Sequence, residues 1–421
     1  MLRWHLKASA IGPRSCEQRV TATPEPVDAD AVVGFARDLI AIPSENPPGV
    51  AYGQCVERIC SELDALAIEH EVIETGDDVT TRQVIVGTVG DVGPLLYLHG
   101  HYDVVPAFDR DQFDPQVRDG RLIGRGSSDM KGGLASIIHA AGRAAETGTR
   151  IALVIVPDEE TGGRLGAERL AALGHLDEGA AGAVVAEPTW GTIWHACRGA
   201  FTLRVRVHGR PAHVGLHYEG VNAFAGAVVV ADALRDLGEA LRERKSALDF
   251  PSANMRARES IMLVGGVARG GTNFNIVPDE FSFTIDRRPN ADEDYEEAAK
   301  ELLALLASFR ERAIDLDWEV IQDAPSAVTP ADSHFVQALS SAVSATTGSR
   351  PTITCCPGVL ETRIYARLGM PAVAFGPGLI DQMHAPTEEV PIANLTDAAA
   401  IYFRLARTLA DVNEGGRAAS P

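Results

Sequence analysis

The feature that most constrains this chain is a rhythm in its first half, where short β-branched and apolar runs are separated by stretches at helical spacing. The runs are RQVIVGTV, PLLYLHG, IALVIVP and AGAVVAE, and GGLASIIHAAGRAAETG lies between the second and third. Upstream, AVVGFARDLIAI and GQCVERICSELDALAI place apolar residues at helical period. Strands that alternate with helices pair in parallel, because the helix carries the chain back to the same end of the sheet. The rhythm therefore predicts an α/β fold with a mostly parallel sheet flanked by helices.

Near residue 200 the texture changes. FTLRVRVHG alternates apolar and polar with period two and reads as a half-buried strand. A helix is expected from about Asn222 to Lys245, then strands at SIMLVGGVARGG and EFSFTIDRR. DEDYEEAAKELLALLASFRERA follows as a helix with acids in its first turn and bases in its last, which suits the helix dipole. IDLDWEVIQ closes the set. This β-α-β-β-α-β order predicts a ferredoxin-like α+β unit. Because α/β texture resumes at HFVQALSSAVSATTG and PAVAFGPG, the unit reads as an insertion. The expected organisation is one domain from 28–199 and 324–413, interrupted by 200–323. Residues 1–27, a basic start followed by TPEPVDAD, read as a disordered tail or an over-long start. Two domains also suit 421 residues.

A net charge of −20 and the lack of any Lys/Arg run argue against nucleic acid and anionic membranes as partners. Six cysteines without a CxxC predict a reduced, cytoplasmic chain, with Cys355 and Cys356 as packing residues.

Five segments carry the chemistry: LLYLHGHYDVVPA (95–107), GRGSSDMKGG (124–133), VIVPDEETGG (154–163), VVAEPT (184–189) and GPGLIDQMHAPTEEV (376–390). Four of them follow a predicted strand, and ligand sites in open α/β sheets form beyond the carboxyl ends of strands. His101, Glu159, Glu160, Glu187 and His384 are thus expected in one crevice. Asp129 stands just before the helix that begins near Gly132, where an anion is favoured. Imidazole and carboxylate together suit zinc, with cobalt and manganese as rivals. Two histidines and three carboxylates can serve two ions only if one carboxylate bridges. Such a pair polarises a carbonyl and generates hydroxide at neutral pH. His99, inside the strand pattern, reads as structural.

HGHYDVVP, GRGSSDMKGG, PDEETGG, AEPT and MHAPTEEV together resemble the signature of the M20 metallopeptidase family, over about residues 30 to 410. That family includes acetylornithine deacetylase, succinyl-diaminopimelate desuccinylase, aminoacylase and glutamate carboxypeptidase. The resemblance implies a zinc-exopeptidase-like catalytic domain, and a lid and dimerisation role for the insert. It implies His101, Asp129 and Glu187 around one Zn²⁺ and Asp129, Glu160 and His384 around a second. It also implies Glu159 as general base and Asp103 as the group that orients the His101 ring. His213 in GRPAHVG is similar to a histidine donated across a homodimer, and Asn275 to a lid asparagine that contacts substrate. Arg198 and Arg288 are candidate carboxylate anchors, since a guanidinium grips a carboxylate with two bonds. The expected reaction removes an acyl group from an N-acyl amino acid. The alternatives are a dipeptidase or glutamate-carboxypeptidase-like exopeptidase, and a metal-binding dimer without catalysis. Two places depart from better-known members. Glu361-Thr362-Arg363 replaces a small Gly/Ser/Thr stretch followed by Asp, and His217-Tyr218 stands where a Pro is usual.

Overall fold

The computed structural model describes residues 27–77 and 80–417, with side chains as far as 411. The expected tail falls outside the described residues except for its last position.

The described residues begin with α1 (Ala29–Ile40), α2 (Tyr52–Ala65), β1 (Glu69–Glu74), β2 (Gln83–Val89) and β3 (Val92–His101). There follow β4 (Gln116–Arg118), β5 (Arg121–Ile123), α3 (Lys131–Thr147), β6 (Thr149–Val156), α4 (Ala167–Ala172), β7 (Gly182–Val185) and β8 (Thr192–Cys197). The inserted part is β9 (Ala200–His208), α5 (Ala223–Leu241), β10 (Ile261–Gly270), β11 (Glu280–Arg288), α6 (Tyr295–Glu311) and β12 (Leu316–Ala324). The chain returns through β13 (Ala327–Val328), α7 (His334–Thr347), β14 (Thr352–Cys356), α8 (Thr362–Arg367), β15 (Ala372–Ala374), β16 (Glu389–Pro391) and α9 (Ile392–Arg417).

The large sheet runs β1-β2-β6-β3-β7-β15-β8-β13, with β14 also paired to β8. Its middle, β6-β3-β7-β15, is parallel. The flank β1-β2-β6 and the β8-β13 pair are antiparallel. Both faces are covered, which explains the unbroken apolar runs. In β6, Ile151, Leu153 and Ile155 face a core built with α1, α2, α3, α7 and α9. Ala152, Val154 and Val156 face a smaller core with α4 and α8.

The insert is a four-stranded antiparallel sheet of order β10-β11-β9-β12. That is the ferredoxin-like order expected from the β-α-β-β-α-β sequence. Phe201, Leu203, Val205 and Val207 pack beneath the helices. The alternate residues Arg204, Arg206 and His208 pair instead with Asp317 and Glu319 of β12 on the open face. Helix α5 starts at an Asn222 cap and α6 at an Asp294 cap, each side chain accepting a backbone N–H of the first turn. Such caps contribute about 1 kcal/mol each.

Candidate active site

The parallel strands aim their carboxyl ends at one crevice. His101 is the last residue of β3, Glu159 and Glu160 form a turn after β6, and Glu187 follows β7 by two residues. His384 comes from the loop after β15, held at φ 59°, a left-handed conformation that directs its ring inward. Asp129 precedes α3.

These six side chains converge. His101 Nε2 lies 3.3 Å from Asp129 Oδ1, and His384 Nε2 lies 3.2 Å from Asp129 Oδ2 and 3.2 Å from Glu160 Oε2. His101, Asp129 and Glu187 form one set of donors within 4.8 Å of one another, and Asp129, Glu160 and His384 form another. Asp129 belongs to both. Glu159 stands outside each set, with Oε2 4.0 Å from His101 Nε2 and its side chain 22% exposed.

The electrostatics express the crowding. Burial pushes Glu159 well above the usual carboxylate range; His101 opposes this, and Glu187, Glu160 and Glu361 reinforce it. Burial, aided by Asp129, pushes Glu187 up to about 8. Burial also disfavours ionised Asp129, but the adjacent imidazoles of His101 and His384 outweigh it and hold that carboxyl below its ordinary value. The Asp129 and Glu160 carboxylates, each 3.2 Å from its Nε2, push His384 up to about 10. Such convergence of buried negative charge is what a divalent cation needs. The donor chemistry fits as well, because His101 Nε2 and Glu187 Oε1 are buried and make no hydrogen bond.

Asp103 does more than expected. The His101 ring is oriented chiefly by the main chain, with Nδ1 2.9 Å from Asp103 O and 3.4 Å from Asp103 Oδ1. The Asp103 carboxylate accepts Asn46 Nδ2 at 2.8 Å, Glu160 N at 3.2 Å and Glu159 N at 3.4 Å. It thereby fixes the turn that carries both glutamates. Glu388 has a like role under Asp129. It accepts Ser128 N at 2.9 Å, Asp129 N at 2.8 Å and Arg125 Nη1 at 2.6 Å. Lys131, fully buried, donates to Leu39 O and Ile42 O, tying the start of α3 to the end of α1. Asn46, Glu388 and Lys131 carry no local signal of these roles, although Glu388 and Lys131 lie within two of the motifs.

The insert's candidates lie elsewhere. His213 is exposed and caps a short turn, accepting Gly215 N at Nδ1, and Asn275 O accepts Val214 N beside it. Neither makes a hydrogen bond or ion pair with the six converging residues. His217 and Tyr218 are exposed next to His213, and nothing in the structure explains their substitution.

Arg198, expected as a carboxylate anchor, meets main-chain carbonyls. It is buried, donates Nη1 and Nη2 to Glu259 O and Ala257 O, and lies 4.8 Å over the Phe250 ring. A guanidinium occupied this way braces the join between the two sheets. Arg288 is on β11 with Nε on the carboxylate of Asp286, and makes no bond to the converging residues. His99 is structural as expected, fully buried with Nε2 2.5 Å from Glu361 Oε2 and Nδ1 2.8 Å from the Tyr365 hydroxyl.

The model of peptidase family M20/M25/M40 matches residues 97–408, a span that contains all six converging residues. The chain belongs to this family. As an M20 protein it is a metal-dependent amidohydrolase or peptidase. It is 31% identical over 399 residues to a succinyl-diaminopimelate desuccinylase of Methylobacterium radiotolerans, covering 89% of this chain and 96% of that one. An M20 family metallo-carboxypeptidase from Sulfolobus solfataricus superposes with a TM-score of 0.76 at 15% identity, over 91% of this chain and 100% of the other. A dinuclear metal-binding M20 peptidase from Bacillus subtilis gives a TM-score of 0.65 at 16% identity, over 91% and 98%. At those identities the two structures share the fold.

Proposed function

We propose that the chain is a homodimeric, cytoplasmic two-zinc hydrolase that removes the acyl group from an N-acyl amino acid. The observation that carries this reading is the Asp129 carboxylate, one oxygen of which meets His101 and the other His384. A carboxylate shared this way is the natural bridge between two ions. His101 and Glu187 would complete one site, and Glu160 and His384 the other. The ions would polarise the scissile carbonyl and activate a water.

The remaining steps belong to the chain's own side chains. Glu159, outside both donor sets and with a raised pKa, accepts the proton of the attacking water and delivers it to the leaving nitrogen. Asp103 holds the Glu159 amide and so keeps that carboxylate in place. A His213 supplied by the second copy donates to the developing oxyanion, and Asn275 and Arg288 contact the substrate. Exposed apolar side chains support the dimer. Edge strand β10 presents Ile261, Leu263 and Val267, and neighbouring α5 presents Phe224 and Val228. An apolar sheet edge invites pairing with another chain. The cytoplasmic setting rests on the free thiols of the five described cysteines.

A panel of N-succinyl, N-acetyl and N-glutaryl amino acids, run beside dipeptides on the zinc-loaded protein, tests the reading. N-succinyl amino acids are the first class to try, given the desuccinylase relative. Faster cleavage of dipeptides favours the exopeptidase alternative, and no cleavage of any linear amide sinks the proposal. His213→Ala is expected to lower kcat by about 10²–10³-fold, the usual cost of one oxyanion donor, with metal content unchanged. Mixing it with inactive Glu159→Gln dimers should restore activity, because one site of each mixed dimer has both groups intact. If mixing restores nothing, His213 does not act across the dimer.

A further inference from the structure

The segment Glu361-Thr362-Arg363 is buried throughout, and its two charged side chains reach the turn that bears Glu159 and Glu160. That turn, Glu159–Thr161, ends in two glycines at positive φ, 104° at Gly162 and 72° at Gly163. Glycine tolerates such angles but also gives the unfolded and misplaced turn more freedom. Something outside the turn must therefore fix it. Its leading edge is held by Asp103 on the amides of Glu159 and Glu160. Its trailing edge is held by Arg363, whose Nη2 donates to Gly162 O at 3.0 Å and to Glu168 Oε1 at 2.6 Å, while Nη1 donates to Leu360 O at 3.1 Å.

Glu361 closes the other side. One oxygen is bound by His99, and a side-chain carbon placed on Gly163 would lie only 2.5 Å from the other. His99 and His101 share one face of β3, two residues apart, so the Glu361 pair sits directly behind a converging imidazole.

We propose that Arg363 is a positioning residue that sets the glutamate turn for catalysis. It acts through Gly162 and touches neither substrate nor metal. The unusual Glu-Thr-Arg sequence is then a brace for the reacting acids, and this rests on the reading of Glu159 as the base. A guanidinium suits the task because its planar fork serves three acceptors at once, which an ammonium cannot do in fixed geometry.

The test uses the full chain, zinc-loaded, with Arg363→Met, Arg363→Lys and Glu168→Gln. Two readouts are taken: amide hydrogen exchange in the 158–166 segment, and kcat with KM on the best substrate of the panel. Arg363→Met should speed exchange at Gly162 and Gly163 at least tenfold. It should also lower kcat by about 10²-fold, the cost of a misplacement near 1 Å, with KM and zinc content little changed. Arg363→Lys should recover part of both, and Glu168→Gln, which leaves the Gly162 bond, should stay near the parent. Unchanged exchange and unchanged kcat in Arg363→Met, with only a lower Tm, overturn the proposal. Should Arg363→Met fail to fold, parent-like exchange and kcat in Arg363→Lys do the same. If the unsubstituted protein cleaves nothing in the panel, the functional reading fails and the exchange result still decides the brace.

Discussion

Glu159→Gln lowers kcat by about 10²–10⁴-fold, the usual contribution of a general acid–base group, and leaves bound zinc at the parent level. The amide keeps the shape of the side chain and loses its basicity. Metal content holds because Glu159 belongs to neither donor set. The loss should fall equally on kcat and kcat/KM, because the proton transfer is made in the transition state alone. Metal analysis and steady-state kinetics on one preparation check both parts. Turnover within a few-fold of the parent would remove Glu159 from its role, and loss of zinc would place it among the ligands.

Asp129→Ala has the broadest expected effect. Removing a partner that merely orients a metal ligand costs about 10–100-fold in affinity, and Asp129 stands in both donor sets. Its loss should weaken zinc binding by more than that at each site and abolish turnover at ordinary zinc concentrations. The same deletion frees the backbone beneath it little, since Glu388 still holds the Ser128 and Asp129 amides. The variant should therefore fold, and its Tm should no longer rise on adding zinc. Calorimetric titration with zinc reads this directly. Parent-like affinity for two ions would refute the shared carboxylate.

The strands β2, β3, β6 and β7 and the helices α1, α2, α3, α5 and α6 were legible because their apolar period is strong and their cores lie on defined faces. Several strands escaped, among them β1, β8 and β14. EHEVIE in β1 is polar and mostly exposed, and TIWHAC in β8 and TITCC in β14 mix polar residues into short runs. The converging acids and histidines could be read because each follows a strand or starts a helix, positions that local pattern reveals. Their supports could not. Glu388 lies 259 residues from the amide of Asp129, and Asn46 lies 57 residues from Asp103. Nothing local marks a glutamate as a backbone acceptor in place of a surface charge. The surroundings of Arg198 were hidden for the same reason, since a sequence shows a guanidinium without showing the carbonyls it meets.

The buried ammonium of Lys131 has a wider consequence. It reaches back 92 residues to Leu39 O and 89 to Ile42 O, at the end of α1. Desolvation lowers its pKa, so any shift of those carbonyls strands a charge that is costly to leave unsolvated. Fraying at the end of α1 is in this way transmitted to the loop before α3. Helix α1 and the carboxylate at the centre of the crevice loosen together or hold together, as one cooperative unit.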